Sequence, residues 1–128
     1  MKAARIVTLI ACLISFVTGC LHGRGYFKVV EGLSTEHLAP VTANILKTCW
    51  LTFSVEMVVL AMIALLASRH ERGASIVLVC AFANATNGFL LFHFLGLFIG
   101  VYLVTLVTLL LLAGGLLQLK TESLQQPD

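Results

Sequence analysis

Residues 44–56 read Asn44-Ile-Leu-Lys-Thr-Cys-Trp-Leu-Thr-Phe-Ser-Val-Glu56, and they form the middle of an apolar segment that extends from Pro40 to Ala67. This segment is long enough to cross a bilayer as a helix, which takes roughly 20 apolar residues. It nevertheless contains a carboxylic acid. Because ionisable side chains inside a bilayer are costly and rare, Glu56 is a candidate functional residue by default.

The composition places the rest of the chain in a membrane as well. Of its 128 residues, 59% are hydrophobic and 11% are charged, and the mean hydropathy is +1.03. Soluble domains carry about 25% charged residues. The chain lacks the polar side chains to cover a soluble surface, so we expect the lipid bilayer to surround it. The net charge of +2 is small and dispersed, so no nucleic-acid partner is expected.

Four apolar segments account for most of the sequence. We predict membrane spans at about residues 4–21, 40–67, 74–94 and 97–119, all within a single domain of residues 1–128. Short connections after the second and third spans make consecutive spans antiparallel. Between the first two spans, residues 22–39 mix glycines with aromatic residues, so we expect the glycines to break the helix and the segment to lie at the membrane surface. The predicted fold is all-α: a polytopic membrane protein with one antiparallel four-helix bundle and a short interfacial segment between helices 1 and 2.

Basic residues are unevenly distributed between the two ends of the predicted spans. One end has Lys2, Arg5, Arg69, Arg72 and Lys120, and the other has Arg24 and Lys28. Since basic residues accumulate on the cytoplasmic side, we expect a multi-pass protein of the bacterial inner membrane with both termini in the cytoplasm. An alternative starts from Val17-Thr-Gly-Cys20, which resembles the lipobox of bacterial lipoproteins. That resemblance implies cleavage before Cys20 and lipidation of this cysteine.

Polar side chains from all four spans fall at similar depths. At 1.5 Å per residue, one layer lies about 15–16 Å from the predicted cytoplasmic ends, and a second lies slightly beyond it. Such a layer favours a site that exchanges protons or binds a ligand. The alternative is hydrogen bonding that only joins the helices. The first layer contains Glu56, Asn84, Thr108 and Ser15, and the second contains Thr52, Asn87, Thr105 and Thr18.

Three histidines are predicted at the end of the bundle opposite the basic residues. They are His22, His37 and His93. Imidazole is a ligand of copper, zinc and iron, including haem iron, so a second hypothesis is a membrane redox or metal protein with haem or copper as its cofactor. In the alternative interpretation the histidines hydrogen-bond at the membrane surface and bind no metal.

The remaining patterns concern partners and chemistry. Small residues recur at Gly96-x-x-x-Gly100 and Ala81-x-x-x-Ala85, which favours close approach of helices. We therefore expect either a homo-oligomer or docking to a larger membrane complex. No nucleophile and base occur at one depth, as a covalent enzyme mechanism would need. The resulting hypothesis is a non-enzymatic accessory subunit, or a small binding or transport protein, built around the Glu56 layer.

Overall fold

The computed structural model describes residues 2–36 and 38–124. In these ranges all regular structure is helical, and each helix is long and apolar enough to cross a membrane. The prediction of an all-α four-helix bundle is therefore confirmed. The helices are α1 (Lys2–Thr35), α2 (Pro40–Ala67), α3 (Ala74–Leu95) and α4 (Ile99–Ser123).

The four helices are arranged as a ring. Helix α1 packs between α2 and α4, and α3 packs mainly on α4. The contact between α2 and α3 is the least extensive of the four. Helix α3 ends at Gly96, whose φ of +73° is a backbone conformation that glycine adopts without strain. This turn lets α4 return directly along α3.

The core consists mostly of small side chains. Its central cluster includes Ala11, Ala61, Ala64 and Ala81, all at most 4% exposed. Close approach of backbones is the main source of packing energy between helices in lipid, because lipid tails are as apolar as the side chains they replace. The cluster lies in the half of the bundle next to the chain's N-terminus. This half therefore contains the central core.

The end of the bundle that contains Arg5 and the turn Ser68–Gly73 is called the basic end. Arg5 Nε donates to the carbonyl oxygen of Ser68 at 3.1 Å, and a second guanidinium nitrogen donates to that of Arg69 at 3.1 Å. From α4, Gln118 Nε2 donates to the His70 carbonyl at 2.8 Å. Side chains of α1 and α4 thus hold the connection between α2 and α3, which aligns all four helices at this end.

Helix α1 is longer than the first predicted span. The expected break at the glycines of residues 22–39 does not occur, because α1 continues through Gly23, Gly25 and Gly32 to Thr35. At Gly23 and Gly25 the physical reason is contact with α2: a Cβ added to Gly25 would lie 3.1 Å from Cζ2 of Trp50, and Gly23 faces Ser54. Packing against α2 offsets the roughly 1 kcal/mol that a helical glycine costs relative to alanine. The expected interfacial segment is thus mostly a continuation of α1.

Candidate functional site

One line of polar residues on α2, four residues apart, lies on the outer side of the helix and reaches the α3 side at Glu56. Asn44, Thr48 and Thr52 are exposed, whereas Glu56 is half-buried. The Thr48 hydroxyl donates to the Asn44 carbonyl at 2.9 Å, so its polarity is satisfied within the helix. Successive positions four residues apart turn by about 40° around a helix. Because of this rotation, Asn44, Thr48 and Thr52 lie on the outer surface of α2, and Glu56 lies at the boundary with α3.

Glu56 forms its hydrogen bond with α3. Asn87 Nδ2 donates to Glu56 Oε1 at 3.0 Å, across the least extensive of the four contacts between neighbouring helices. Glu56 and Thr52 also line a shallow groove of about 380 Å³ that is open to the side of the bundle. The other lining residues are Leu51, Val55 and Val59. The carboxyl therefore lies at the edge of an otherwise mostly apolar surface.

Asn84 and Thr108 form a separate pair between α3 and α4. Asn84 is 2% exposed, and its amide nitrogen donates to the Thr108 hydroxyl at 2.8 Å and to the Val104 carbonyl at 2.9 Å. The Thr108 hydroxyl in turn donates to the Val104 carbonyl at 2.9 Å. Both N–H groups of the amide are thereby used. This pair joins two helices and lies inside the bundle.

Two further residues of the predicted layers also lie apart from Glu56. Ser15 is 2% exposed and donates to the Met57 carbonyl at 3.1 Å, which joins α1 to α2. Thr105 is exposed and lines a groove of about 290 Å³ between α3 and α4, beside Phe89 and Phe92. The structure therefore distributes the predicted polar layers among several helix contacts. Of these residues, it brings Asn87 and Thr52 to Glu56.

The histidines lie in two different surroundings. The His22 ring stacks on Trp50 with 4.0 Å between ring centroids, and its Nδ1 is 2.8 Å from the Ser54 hydroxyl. The His93 ring lies between Phe89 and Phe94, with centroid distances of 6.0 and 4.8 Å.

The predicted metal site depends on a third histidine, His37, which falls outside the described residues. Within residues 2–36 and 38–124, no group of three His, Cys, Asp or Glu side chains could hold a metal ion. Because the predicted ligand set includes His37, the haem or copper site stays a prediction.

The contact between α1 and α2 at Trp50 was missed by the sequence reasoning. Trp50 Nε1 donates to the His22 carbonyl at 2.7 Å, while the indole ring stacks on the imidazole. One turn away, Gly19 lies against the backbone of Ser54. The spacing Gly19-x-x-x-Gly23 is the sequence signal that would have predicted this close approach.

No protein-family model matches the sequence, and neither a curated protein nor a solved structure matches it. The class of the protein follows from its four helices, each of which can cross a membrane. The chain has the architecture of a small multi-pass membrane protein.

Proposed function

We propose that this protein is a non-enzymatic accessory subunit that binds a transmembrane helix of a partner at Glu56. The observation that carries the proposal is the position of this carboxyl. Asn87 donates to one of its oxygens, and the side chain borders a groove open to the surrounding lipid. A glutamate that only joined helices would be expected inside the bundle, as the buried Asn84 is.

The energetic argument concerns the exposed side of this carboxyl. An acidic side chain near the middle of a bilayer costs about 2.5–3.5 kcal/mol on insertion scales, and simulations give larger values for charged groups. The bond from Asn87 offsets part of this cost. A polar or basic side chain on a partner helix would offset more, since it would supply a donor and remove the carboxyl from lipid. Binding of a partner is thereby favoured at this position.

The shape of the groove distinguishes a helix from a small ligand. Sites for small molecules are usually concave and bury most of the ligand surface. Here the lining residues all belong to α2, from Leu51 to Val59, and span about 12 Å of one helix face. Val55 is 60% exposed and Val59 is 44% exposed. Such a face suits a second helix packed alongside α2.

The test uses dicyclohexylcarbodiimide, a lipid-soluble reagent that modifies protonated carboxyls. Labelling of Glu56 is followed by peptide mass spectrometry in native membranes and in the purified protein, with Glu56→Gln as the blank. We expect slow labelling in native membranes, where a partner covers the groove, and fast labelling after purification removes the partner. Equal rates in both preparations would show that no partner covers Glu56. Absence of labelling in both would contradict the proposal, since it would show that the reagent finds no accessible protonated carboxyl at the side of the bundle.

A second experiment fills the groove without changing its charge. Val55→Trp places a large side chain on the groove, and Val79→Trp is the matched control on an exposed position of α3 that does not line this groove. We expect Val55→Trp to reduce the mass of the complex extracted in mild detergent and Val79→Trp to leave it unchanged. If both variants retain the complex, its partner binds elsewhere. If a bound small molecule is lost while the protein mass stays constant, the site binds a ligand.

A further inference from the structure

One face of α1 lies on the outside of the bundle. Its apolar side chains are 45–61% exposed, and they recur every three or four residues, which places them on one line. These residues are Ile6, Ile10, Leu13, Val17 and Leu21. The line continues beyond Leu21 with Arg24 and Lys28, both of which are exposed. An apolar face that suits lipid tails therefore ends in two basic side chains.

The position of Arg24 along α1 corresponds to the thickness of a bilayer. Arg5 is fixed at the basic end by its hydrogen bonds to the turn after α2. Because α1 is unbroken from Lys2 to Thr35, the rise along the helix can be counted directly. Arg24 lies about 29 Å beyond Arg5, close to the roughly 30 Å of a hydrocarbon core. Lys28 lies about 6 Å farther, at the level of the headgroups.

We propose that Arg24 and Lys28 form a binding site for the phosphate of an anionic phospholipid. Side chains four residues apart on a helix are neighbours, with about 5–6 Å between their Cβ atoms, so both cations can reach one phosphate. The guanidinium group of arginine can donate two parallel hydrogen bonds to phosphate oxygens. Phe27, between them in sequence, is 75% exposed.

The order of charges along this face supports an anionic ligand. Glu31 is exposed, and it lies on the same side of the helix one turn beyond Lys28. The basic residues are thus nearest to the membrane, and the acidic residue is about 10 Å farther from it than Arg24. This arrangement attracts a negative headgroup on the membrane side of the two basic residues, opposite to the side on which Glu31 lies about 4.5 Å beyond Lys28 along the helix axis.

The protein contains a natural reporter for this site. Its single tryptophan, Trp50, lies against α1 at Gly25, the residue that follows Arg24. Bromine atoms on lipid tails quench tryptophan fluorescence only at short range. The purified protein is reconstituted in phosphatidylcholine vesicles that contain either brominated phosphatidylglycerol or brominated phosphatidylcholine. The ratio of the two quenching curves gives the preference for the anionic lipid at the α1 surface.

We expect the anionic lipid to quench Trp50 more strongly in the wild-type protein, and added salt to reduce this preference. Arg24→Gln and Lys28→Gln should each lower the relative affinity by about fivefold, the effect of one basic residue at an anionic surface. Glu31→Gln is the matched control of opposite sign, and it should raise the preference. Equal quenching by both lipids in the wild-type protein would overturn the proposal. An unchanged ratio of the two quenching curves in both Arg24→Gln and Lys28→Gln would also overturn it. The salt dependence of the wild-type protein decides the question even if a variant does not fold.

Discussion

Substitution of Gly19 by alanine should weaken the contact between α1 and α2. A Cβ added at this position would lie 3.0 Å from the carbonyl oxygen of Ser54 and 3.0 Å from Cγ2 of Val58. The first neighbour is a backbone atom inside a helix, and the second belongs to a β-branched side chain with little rotational freedom. Neither can move aside easily, so the helices must separate by a few tenths of an ångström. The matched control is Gly32→Ala in the same helix, since a Cβ there meets nothing within 4 Å.

The expected magnitude follows from two opposing terms. Replacing a helical glycine by alanine gains up to about 1 kcal/mol in helix propensity, and both variants share this gain. Forcing an additional carbon into a packed contact costs about 1–3 kcal/mol, and only Gly19→Ala incurs this cost. We therefore expect Gly19→Ala to be less stable than Gly32→Ala by about 1–3 kcal/mol. Relative to the wild-type protein, Gly32→Ala should be neutral or slightly stabilised.

The free energy of unfolding can be measured by titrating the protein in mild detergent micelles with sodium dodecyl sulfate. Helix content from circular dichroism and the fluorescence of Trp50 should report the same transition, because Trp50 lies in the contact between α1 and α2. Equal midpoints for Gly19→Ala and Gly32→Ala would refute the reasoning. So would a loss of stability in Gly32→Ala alone, since that would place the tight contact beyond residue 25.

Two further substitutions test other contacts of the bundle. Asn84→Ala removes both amide hydrogen bonds between α3 and α4; at about 0.6 kcal/mol for an average bond in a membrane protein, we expect a loss of roughly 1 kcal/mol in the same titration. Thr86→Ala, at an exposed position bonded only within its helix, should change the midpoint little. Arg5→Gln removes the guanidinium bonds to the turn Ser68–Gly73, so hydrogen exchange of the turn amides should accelerate, whereas Lys2→Gln, at an exposed position, should leave it unchanged. Equal exchange rates in the two variants would show that Arg5 does not hold the turn.

The number and the type of the helices could be predicted from hydropathy alone, because a bilayer accepts few other structures for an apolar segment. The start of α2 at Pro40 was also predictable, since proline suits the first turn of a helix. The continuation of α1 was not. Glycine weakens a helix by its local propensity, but the compensating contacts of Gly23 and Gly25 come from α2, far away in sequence. A local pattern contains no information on that partner.

The depth of the polar side chains in the membrane was easier to predict than the direction in which each side chain points from its helix axis. Asn84 and Asn87 are three residues apart, so their side chains differ by about 60° around α3. That rotation directs Asn84 toward Thr108 of α4 and Asn87 toward Glu56 of α2. Counting residues places Asn84, Asn87, Thr108 and Glu56 at similar depths in the membrane. It does not show which helices are neighbours. The pairing therefore depends on the order of helices in the ring, which only the structure provides.

The location of Glu56 along α2 leaves its carboxyl accessible from the side of the bundle, which would not be so at Ala61 or Ala64. Ala61 and Ala64 lie on the face of α2 that is buried in the core, where a carboxyl would be cut off from any partner and would need donors within the bundle. At Glu56 the neighbouring positions on the outer side, Leu51 and Val55, are exposed, and the contact with α3 is loose. A carboxyl there keeps one bond within the protein and remains accessible from the side. The central core lies in the half where the side chains are smallest, and the bond of Glu56 to Asn87 is not part of it. In the proposed function, this separation keeps a costly side chain available to a partner without weakening the fold.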